Sequence, residues 1–177
     1  MELYHEKDIH VNVRWMIRND FAEVMAIEAA SFEFPWNEGE FLRCLQSRNC
    51  IGVVAEYEGK VVGYAIYETP RHKIFLTNIA VDEQYRRKGV ARQIVQKLIR
   101  KLIYQNRHKI VVEVRETNLT ALQCFRSLGF LATGTLRNFY EEQDEDAYIL
   151  TYQQHNVLRS ETGTAVTGTD AGRVMVS

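Results

Sequence analysis

Apolar side chains recur along this chain with two periods, and the alternation between the periods lays out its elements. Val11, Val13, Trp15 and Ile17 fall at every second position, which predicts a short first strand over Val11 to Arg18. Asn19-Asp20 is then a helix start, and Phe21, Val24, Met25, Ile27 and Glu28 follow at helical spacing. Phe34-Pro35-Trp36 breaks that helix, and a second is expected from Asn37 to Gln46 with Asn37 as its cap. Cys50 to Tyr57 and Lys60 to Glu68 are apolar and β-branched and meet at Glu58-Gly59, the mark of a hairpin. Ile74 to Val81 is a further strand. From Val90 to Tyr104 the residues Val90, Ala91, Ile94, Val95, Leu98, Ile99, Leu102 and Ile103 form an i, i+4 stripe, the clearest helix of the chain. Lys109 to Arg115 reads as a strand. Asn118 to Leu128 reads as a helix capped by Asn118 and closed by Gly129. Phe130 to Tyr140 and Ala147 to Tyr152 read as closing strands around a polar turn, Glu141 to Asp146. After His155 the period is lost, and Ser160 to Ser177, rich in Thr, Gly, Ala and Val, reads as a tail. One domain over 13–155 is expected, with an extension over 1–12 and a tail over 156–177.

Composition narrows the classes. The 177 residues are 46% hydrophobic and 25% charged, a globular balance with enough chain for a sizeable core. Lys and Arg number 22 against 23 Asp and Glu, a net charge of -1, so no dominant positive field is available for nucleic acid. No apolar run is long enough for a membrane span, and Met1 to Trp15, with Glu2, His5, Glu6, Lys7, Asp8 and His10, lacks the apolar stretch of a secretory signal. Cys44, Cys50 and Cys124 form no Cys-x-x-Cys, and the five histidines are scattered, so neither a disulfide framework nor a metal site is expected. Reduced thiols and a cytoplasmic setting are the expectation.

The chemistry concentrates at two places. At Ile79 to Ala91 a strand gives way to a basic loop with one glycine and then to the long helix. Helix N-termini leave N–H groups unpaired and attract phosphate, and Gly89 permits close backbone approach. Arg86, Arg87, Lys88 and Arg92 add charge. The same residues also suit a solvated basic loop. Arg86 to Lys109 contains no Asp or Glu, which fits that loop plus the outer face of the helix better than a nucleic-acid surface. The second place is Glu113, mid-strand between Val112 and Val114, where Glu is disfavoured unless its face is wet or functional. Cys124 has no histidine in its motif and reads as a small core residue.

Arg-Arg-Lys-Gly-Val-Ala after Asn-Ile-Ala-Val-Asp resembles the acyl-CoA pyrophosphate loop of the GNAT superfamily of N-acetyltransferases, with Arg86, Gly89 and Ala91 filling Gln/Arg-x-x-Gly-x-Gly/Ala. Asn118 to Phe130 resembles that family's downstream helix, Asn-x-x-Ala-x-x-x-Tyr-x-x-x-Gly-Phe. Phe34-Pro35-Trp36, Val112 to Arg115 and Arg137 to Tyr140 are similar to the bacterial ribosomal-protein-alanine N-acetyltransferases within it. The resemblance spans about residues 13 to 153.

It implies a single α/β domain: a mixed, strongly twisted sheet of about six to seven strands with helices on both faces. Acetyl-CoA would be the co-substrate, without a metal, entering where the strand Ile74 to Val81 splays from the strand Lys109 to Arg115. The backbone of Ile79, Ala80 and Val81 would pair with the pantetheine arm. Arg86, Arg87, Lys88, Gly89, Val90 and Ala91 would hold the pyrophosphate. Asn118 would contact CoA near its reactive end as well as cap its helix. Glu113 would be the general base. Phe125 stands where the subfamily carries a Tyr that protonates the leaving thiolate, also against CoA; the transfer would then run without that acid or with another hydroxyl, Tyr140 being the first candidate. Phe34, Pro35 and Trp36 would form the acceptor-side loop, faced by Arg137 and Tyr140, with Glu141 to Asp146 favouring a basic peptide. The expected reaction is acetyl transfer by direct attack of an amine, foremost the α-amino group of a protein N-terminus, with ribosomal proteins as candidates. A small amine or lysine side chain is the alternative acceptor. Phe125 keeps open a non-catalytic acyl-CoA-binding protein.

Overall fold

A computed structural model describes residues 8–104, 107–140, 144–154 and 173–174. The elements form in the expected order: β1 (Asn12–Trp15), α1 (Phe21–Ser31), α2 (Glu38–Gln46), β2 (Cys50–Tyr57), β3 (Lys60–Glu68), β4 (Lys73–Val81), α3 (Val90–Tyr104), β5 (Lys109–Arg115), α4 (Leu119–Ser127), β6 (Leu131–Tyr140) and β7 (Glu145–Gln153). A further strand, β8 (Arg173–Val174), lies within the stretch that reads as a tail. Of the acidic turn, residues 141–143 lie outside the described residues, as do 1–7 of the extension and the rest of the tail.

Local chemistry explains the helix ends. Asn37 Oδ1 accepts the Glu40 N–H at 3.0 Å while Glu40 Oε2 accepts the Asn37 N–H at 2.7 Å, a reciprocal cap that starts α2. Asn118 Oδ1 accepts the Ala121 N–H at 3.0 Å and starts α4. Gly129, at φ +89°, takes the left-handed conformation that ends it. β1 stops at Trp15, short of the expected Arg18. The Ile17 N–H bonds the Asp20 carboxylate at 2.8 Å instead of a strand partner, and Arg18–Asp20 turns as a 3₁₀ helix. Trp15 and Ile17 are accordingly 65% and 55% exposed, so the apolar alternation there does not mark a buried face.

The seven longer strands run in the order β1-β2-β3-β4-β5-β7-β6. All neighbours in it are antiparallel except β4 and β5, which α3 connects. Their parallel pairing is short, joining Lys73–Leu76 to Lys109–Val112. Beyond it β4 follows β3 and β5 follows β7, so the two strands part. β8 lies in that gap, parallel to β4, with Arg173 opposite Asn78 and Val174 opposite Ile79.

Helices cover both faces, as the mixed-sheet expectation requires. One apolar cluster joins α3 and α4 to the sheet through Ile94, Leu98, Phe125, Val112 and Val114. The other joins α1 and α2 through Val24, Ile27, Phe41, Tyr64 and Ala80. Thr77 is an extra residue in β4, since Ile66 pairs with Asn78 and Tyr67 with Leu76. That bulge switches the alternation. Ile74 and Leu76 before it and Ile79 and Val81 after it all join the α3 cluster. Asn78 and Ala80 are thereby turned to the α1 face.

At the sheet edge Arg14 ties β1 to the 3₁₀ turn and to β2. It donates to both Asp20 oxygens at 2.8 Å and to Glu56 at 2.7 Å. Hydrogen bonds from Arg14 hold the Asp20 carboxyl below the usual carboxylate range. A depressed carboxyl contributes stability above its unfolded pKa of about 3.9 and loses it as pH falls through the folded value. Asp20→Asn is therefore expected to cost about 1.5–3 kcal/mol in urea unfolding at pH 7. The gap from wild type should narrow steadily below about pH 4. A gap independent of pH would show that the ionised pair is not its source.

Candidate active site

The site is built where β4 leaves β5. Glu113 lies on β5 one residue past the last parallel pair and is only 5% exposed. Its neighbours Val112 and Val114 join the α3–α4 cluster, so alternation turns Glu113 to the α1 face, the face Asn78 occupies across the gap. Arg115 shares that face, and its guanidinium stands 4.4 Å from the centre of the Tyr140 ring. Glu113, Arg115 and Tyr140 therefore gather at one side of the parting strands.

A buried carboxylate links this place to the loop between α1 and α2. Glu28 is fully buried. Its Oε1 accepts the Trp36 N–H at 2.7 Å, and its Oε2 accepts from the Tyr64 hydroxyl and from Asn78 Nδ2, the latter at 3.2 Å. Trp36 is thus held to α1, β3 and β4 at once, and it packs edge-on against Phe41 at 5.3 Å. A cavity of about 330 Å³ opens beside it, lined among others by Trp36, Arg43, Glu68 and Thr77. Thr77 Oγ1 and Asn78 Oδ1 are buried without a hydrogen-bond partner among the described residues.

On the other side of β4 the basic loop turns into α3. Arg87 and Gly89 take left-handed φ values of +58° and +76°. A Cβ at Gly89 would stand 2.9 Å from both the Arg92 guanidinium and Asp8 Oδ1. Asp8, paired with Arg92, already places a carboxylate at the start of this 15-residue helix, so the helix end accommodates an anion. The edge of β4 that β5 leaves, partly taken up by β8, and this loop together fit an extended ligand ending in phosphate. Among the described residues no three His, Cys, Asp or Glu gather to hold a metal ion.

The residues expected at the site divide. Glu113, Tyr140, Trp36 and the Ile79–Val81 backbone border the gap or the loop beside it. The Ile79 position is paired with Val174. Arg86 spends its guanidinium on the Val81 carbonyl at 3.1 Å and Ser31 Oγ at 3.2 Å, which braces the loop from behind. The Lys88 ammonium stands 5.2 Å over the Tyr85 ring. Val90 and Ala91 are buried beneath the helix start. Phe125 is fully buried against Phe130 at 5.0 Å, in the cluster on the opposite face from Glu113. The Arg137 side chain is 88% exposed and pairs with Asp146 at 3.3 Å, while Phe34 and Pro35 lie at the surface. Burial pushes the Cys124 thiol up to about 11, which keeps it protonated and inert. Sequence reasoning missed Glu28, Asn78 and Asp8 as members of the site. A carboxylate in the apolar stripe of α1 and an amide inside an apolar strand were the available signals for the first two. Asp8, in a polar stretch, carries none.

Comparison with known proteins gives a consistent picture. The profile of the acetyltransferase (GNAT) family matches residues 21–130. The [ribosomal protein bS18]-alanine N-acetyltransferase of Escherichia coli is 32% identical over 133 residues, 74% of this chain and 89% of that one. The N-alpha-acetyltransferase RimI of Mycobacterium tuberculosis is 31% identical over 146 residues, 79% and 90% of the two chains. The crystal structure of the ribosomal-protein-S18-alanine N-acetyltransferase from Escherichia coli superposes with a TM-score of 0.75 at 28% identity, covering 85% of this chain and all of that one.

Left-handed backbone costs a side chain about 1–2 kcal/mol, and the contacts at Gly89 add to it. Gly89→Ala is expected to weaken CoA binding, measured by calorimetry, by about tenfold or more. Unchanged affinity would remove this loop from the ligand site.

Proposed function

The chain belongs to the acetyltransferase (GNAT) family, and on that premise we propose that it acetylates the N-terminal α-amino group of a protein, with a ribosomal protein as the foremost candidate. It is an acetyl-CoA-dependent N-acetyltransferase. The observation that carries the finer reading is Glu113, a carboxylate almost wholly buried at the point where β4 and β5 part. Acetyl-CoA supplies the acetyl group as a thioester, whose C–S bond breaks as the amine nitrogen forms the new C–N bond.

The chain's own residues provide the rest. A protonated amine has no lone pair, so Glu113 takes a proton from it, directly or through a water. The loop Arg86 to Ala91 and the start of α3 hold phosphate oxygens through backbone N–H groups. The edge of β4 from Asn78 to Val81 offers its backbone groups to an extended arm, as it does to β8 in this structure. Asn118 keeps its capping role. Trp36, fixed through Glu28, forms a wall on the acceptor side. Phe125 supplies no proton. A thiol of pKa near 8.5 is a tolerable leaving group, and the Tyr140 phenol is the hydroxyl that the fold brings to the Glu113 side.

The direct test is thiol release from acetyl-CoA with and without short peptides bearing free N-termini. Peptide-dependent release is expected, and release only with small amines would reassign the acceptor. Glu113→Gln is expected to lower kcat by about 10²–10⁴-fold. The CoA affinity of that variant should stay within about twofold, since the carboxylate is spent on a proton rather than on binding. An unaltered rate would take Glu113 out of the reaction.

Because β8 uses the backbone edge that the ligand arm needs, the two exclude each other. Deleting residues 155–177 is expected to lower the KM for acetyl-CoA severalfold with little change in kcat. Equal KM values would show that the segment does not hold this edge in solution.

A further inference from the structure

We propose that Asn78 Oδ1 is a hydrogen-bond acceptor for the incoming amine, a second contact to the nucleophile beside Glu113. The inference rests on the transferase reading and names a residue that touches the substrate.

Asn78 is fully buried on β4, directly after the Thr77 bulge. Its Nδ2 donates to Glu28 Oε2 at 3.2 Å. That oxygen also accepts from the Tyr64 hydroxyl, and the other Glu28 oxygen accepts the Trp36 N–H. Exchanging the amide oxygen and nitrogen would set two acceptors against each other, so the amide is locked in one orientation. Oδ1 is then held away from Glu28 with no donor among the described residues. A buried amide oxygen left without a donor has lost its hydrogen bond to water and gained nothing in return. Such an atom is retained where a ligand completes it.

Position says which ligand. Asn78 lies past the end of β4–β5 pairing, on the sheet face that Glu113 takes across the gap. The two parting strands thus present an amide oxygen and a carboxylate, both acceptors, on the same face. Their complement is a group with more than one N–H. A primary amine has that donor set, and after giving one proton to Glu113 it still has an N–H for Asn78. A hydroxyl acceptor has a single donor and satisfies only one of the two. The bulge is what makes the arrangement possible, because without it Asn78 would fall on the α3 face with Leu76.

The test uses the full chain with Asn78→Leu, which keeps the size and removes the amide, and Asn78→Asp, which keeps an oxygen for the amine but has no N–H for Glu28. Peptide affinity is measured by calorimetry in the presence of CoA, alongside acetyl-CoA affinity and steady-state kinetics. Asn78→Leu is expected to weaken peptide binding and lower kcat/KM for peptide by about tenfold or more, with acetyl-CoA affinity within about twofold. Asn78→Asp is expected to retain peptide binding within about threefold. Equal losses in both variants would mean that Asn78 acts only through Glu28, and that overturns the proposal, as does unaltered peptide binding in Asn78→Leu. Should Asn78→Leu not fold, Asn78→Ala also withdraws the oxygen from the gap, with the same expectation and the same comparison with Asn78→Asp. Absence of peptide-dependent thiol release by the wild-type chain overturns the transferase reading and this one together. Release with an unaltered Asn78→Leu overturns this one alone.

Discussion

Parallel pairing between β4 and β5 ends at Leu76 and Val112, and the chemistry of this protein depends on that end. A strand buried in a sheet has its backbone groups satisfied on both sides, and one that loses a neighbour must find another partner or water. Here β4 keeps β3 on one side and is left open on the other from Asn78 onward, where β8 takes up part of the edge. The same parting leaves the buried Glu113 one residue past the last pair, at the side of the gap. One interruption in the sheet therefore creates both an edge for an extended ligand and a gap beside a buried carboxylate.

The interruption is shaped by the Thr77 bulge, and the bulge is held by polar contacts rather than by packing alone. After it, β4 turns Ile79 and Val81 to the large cluster under α3 and Asn78 to the α1 face. Glu28 receives Asn78 there and carries Tyr64 and Trp36 on its remaining lone pairs. A buried carboxylate is tolerated only when its oxygens are well hydrogen-bonded, and three donors meet that condition. The consequence is mechanical. The loop carrying Trp36 and the strand β4 are fastened to one side chain, so their spacing is set by covalent geometry and hydrogen bonds.

Most of the fold was legible because its elements obey single periods. The stripe from Val90 to Leu102 and the hairpin at Glu58-Gly59 state their structure locally, and helix caps at Asn37 and Asn118 mark boundaries to within a residue. The end of β1 was not legible. The Arg14–Asp20 pair, whose partners close a short loop only in three dimensions, overrides the alternation that runs on to Ile17. The candidate site could be proposed from sequence where a motif carries it, as in the loop at Gly89 and in Glu113 between two valines. It was illegible where a role depends on which face a residue takes. Asn78 looks like a polar interruption of a strand until the bulge is seen, and Phe125 shares a helical motif with the site yet packs on the opposite face. β8 had no signal, since two residues of a Thr- and Gly-rich stretch carry no period.

The character of the base bears on which amine this site serves. Glu113, the proposed base, is a carboxylate, a weak base beside any ammonium group, and the phenyl ring of Phe125 has no proton to give a leaving thiolate. The burden on such a site is set by how much of the acceptor is already neutral. Near pH 7.5 an α-amino group of pKa about 7.7–8.0 is neutral in roughly one molecule in three. A lysine side chain of pKa about 10.4 is neutral in roughly one in a thousand. The difference of about 2.5 pKa units is worth about 3.4 kcal/mol, a few hundredfold in rate, which the site would have to supply for lysine. In the proposed reaction Glu113, Tyr140 and Asn78 orient a nitrogen and remove one proton. Burial or a nearby cation would depress an amine's pKa, whereas a carboxylate such as Glu113 raises it, and the guanidinium of Arg115 on this face is stacked on the Tyr140 ring. The economical match for this arrangement is the amine that arrives most often without its proton, which is the N-terminus of a polypeptide.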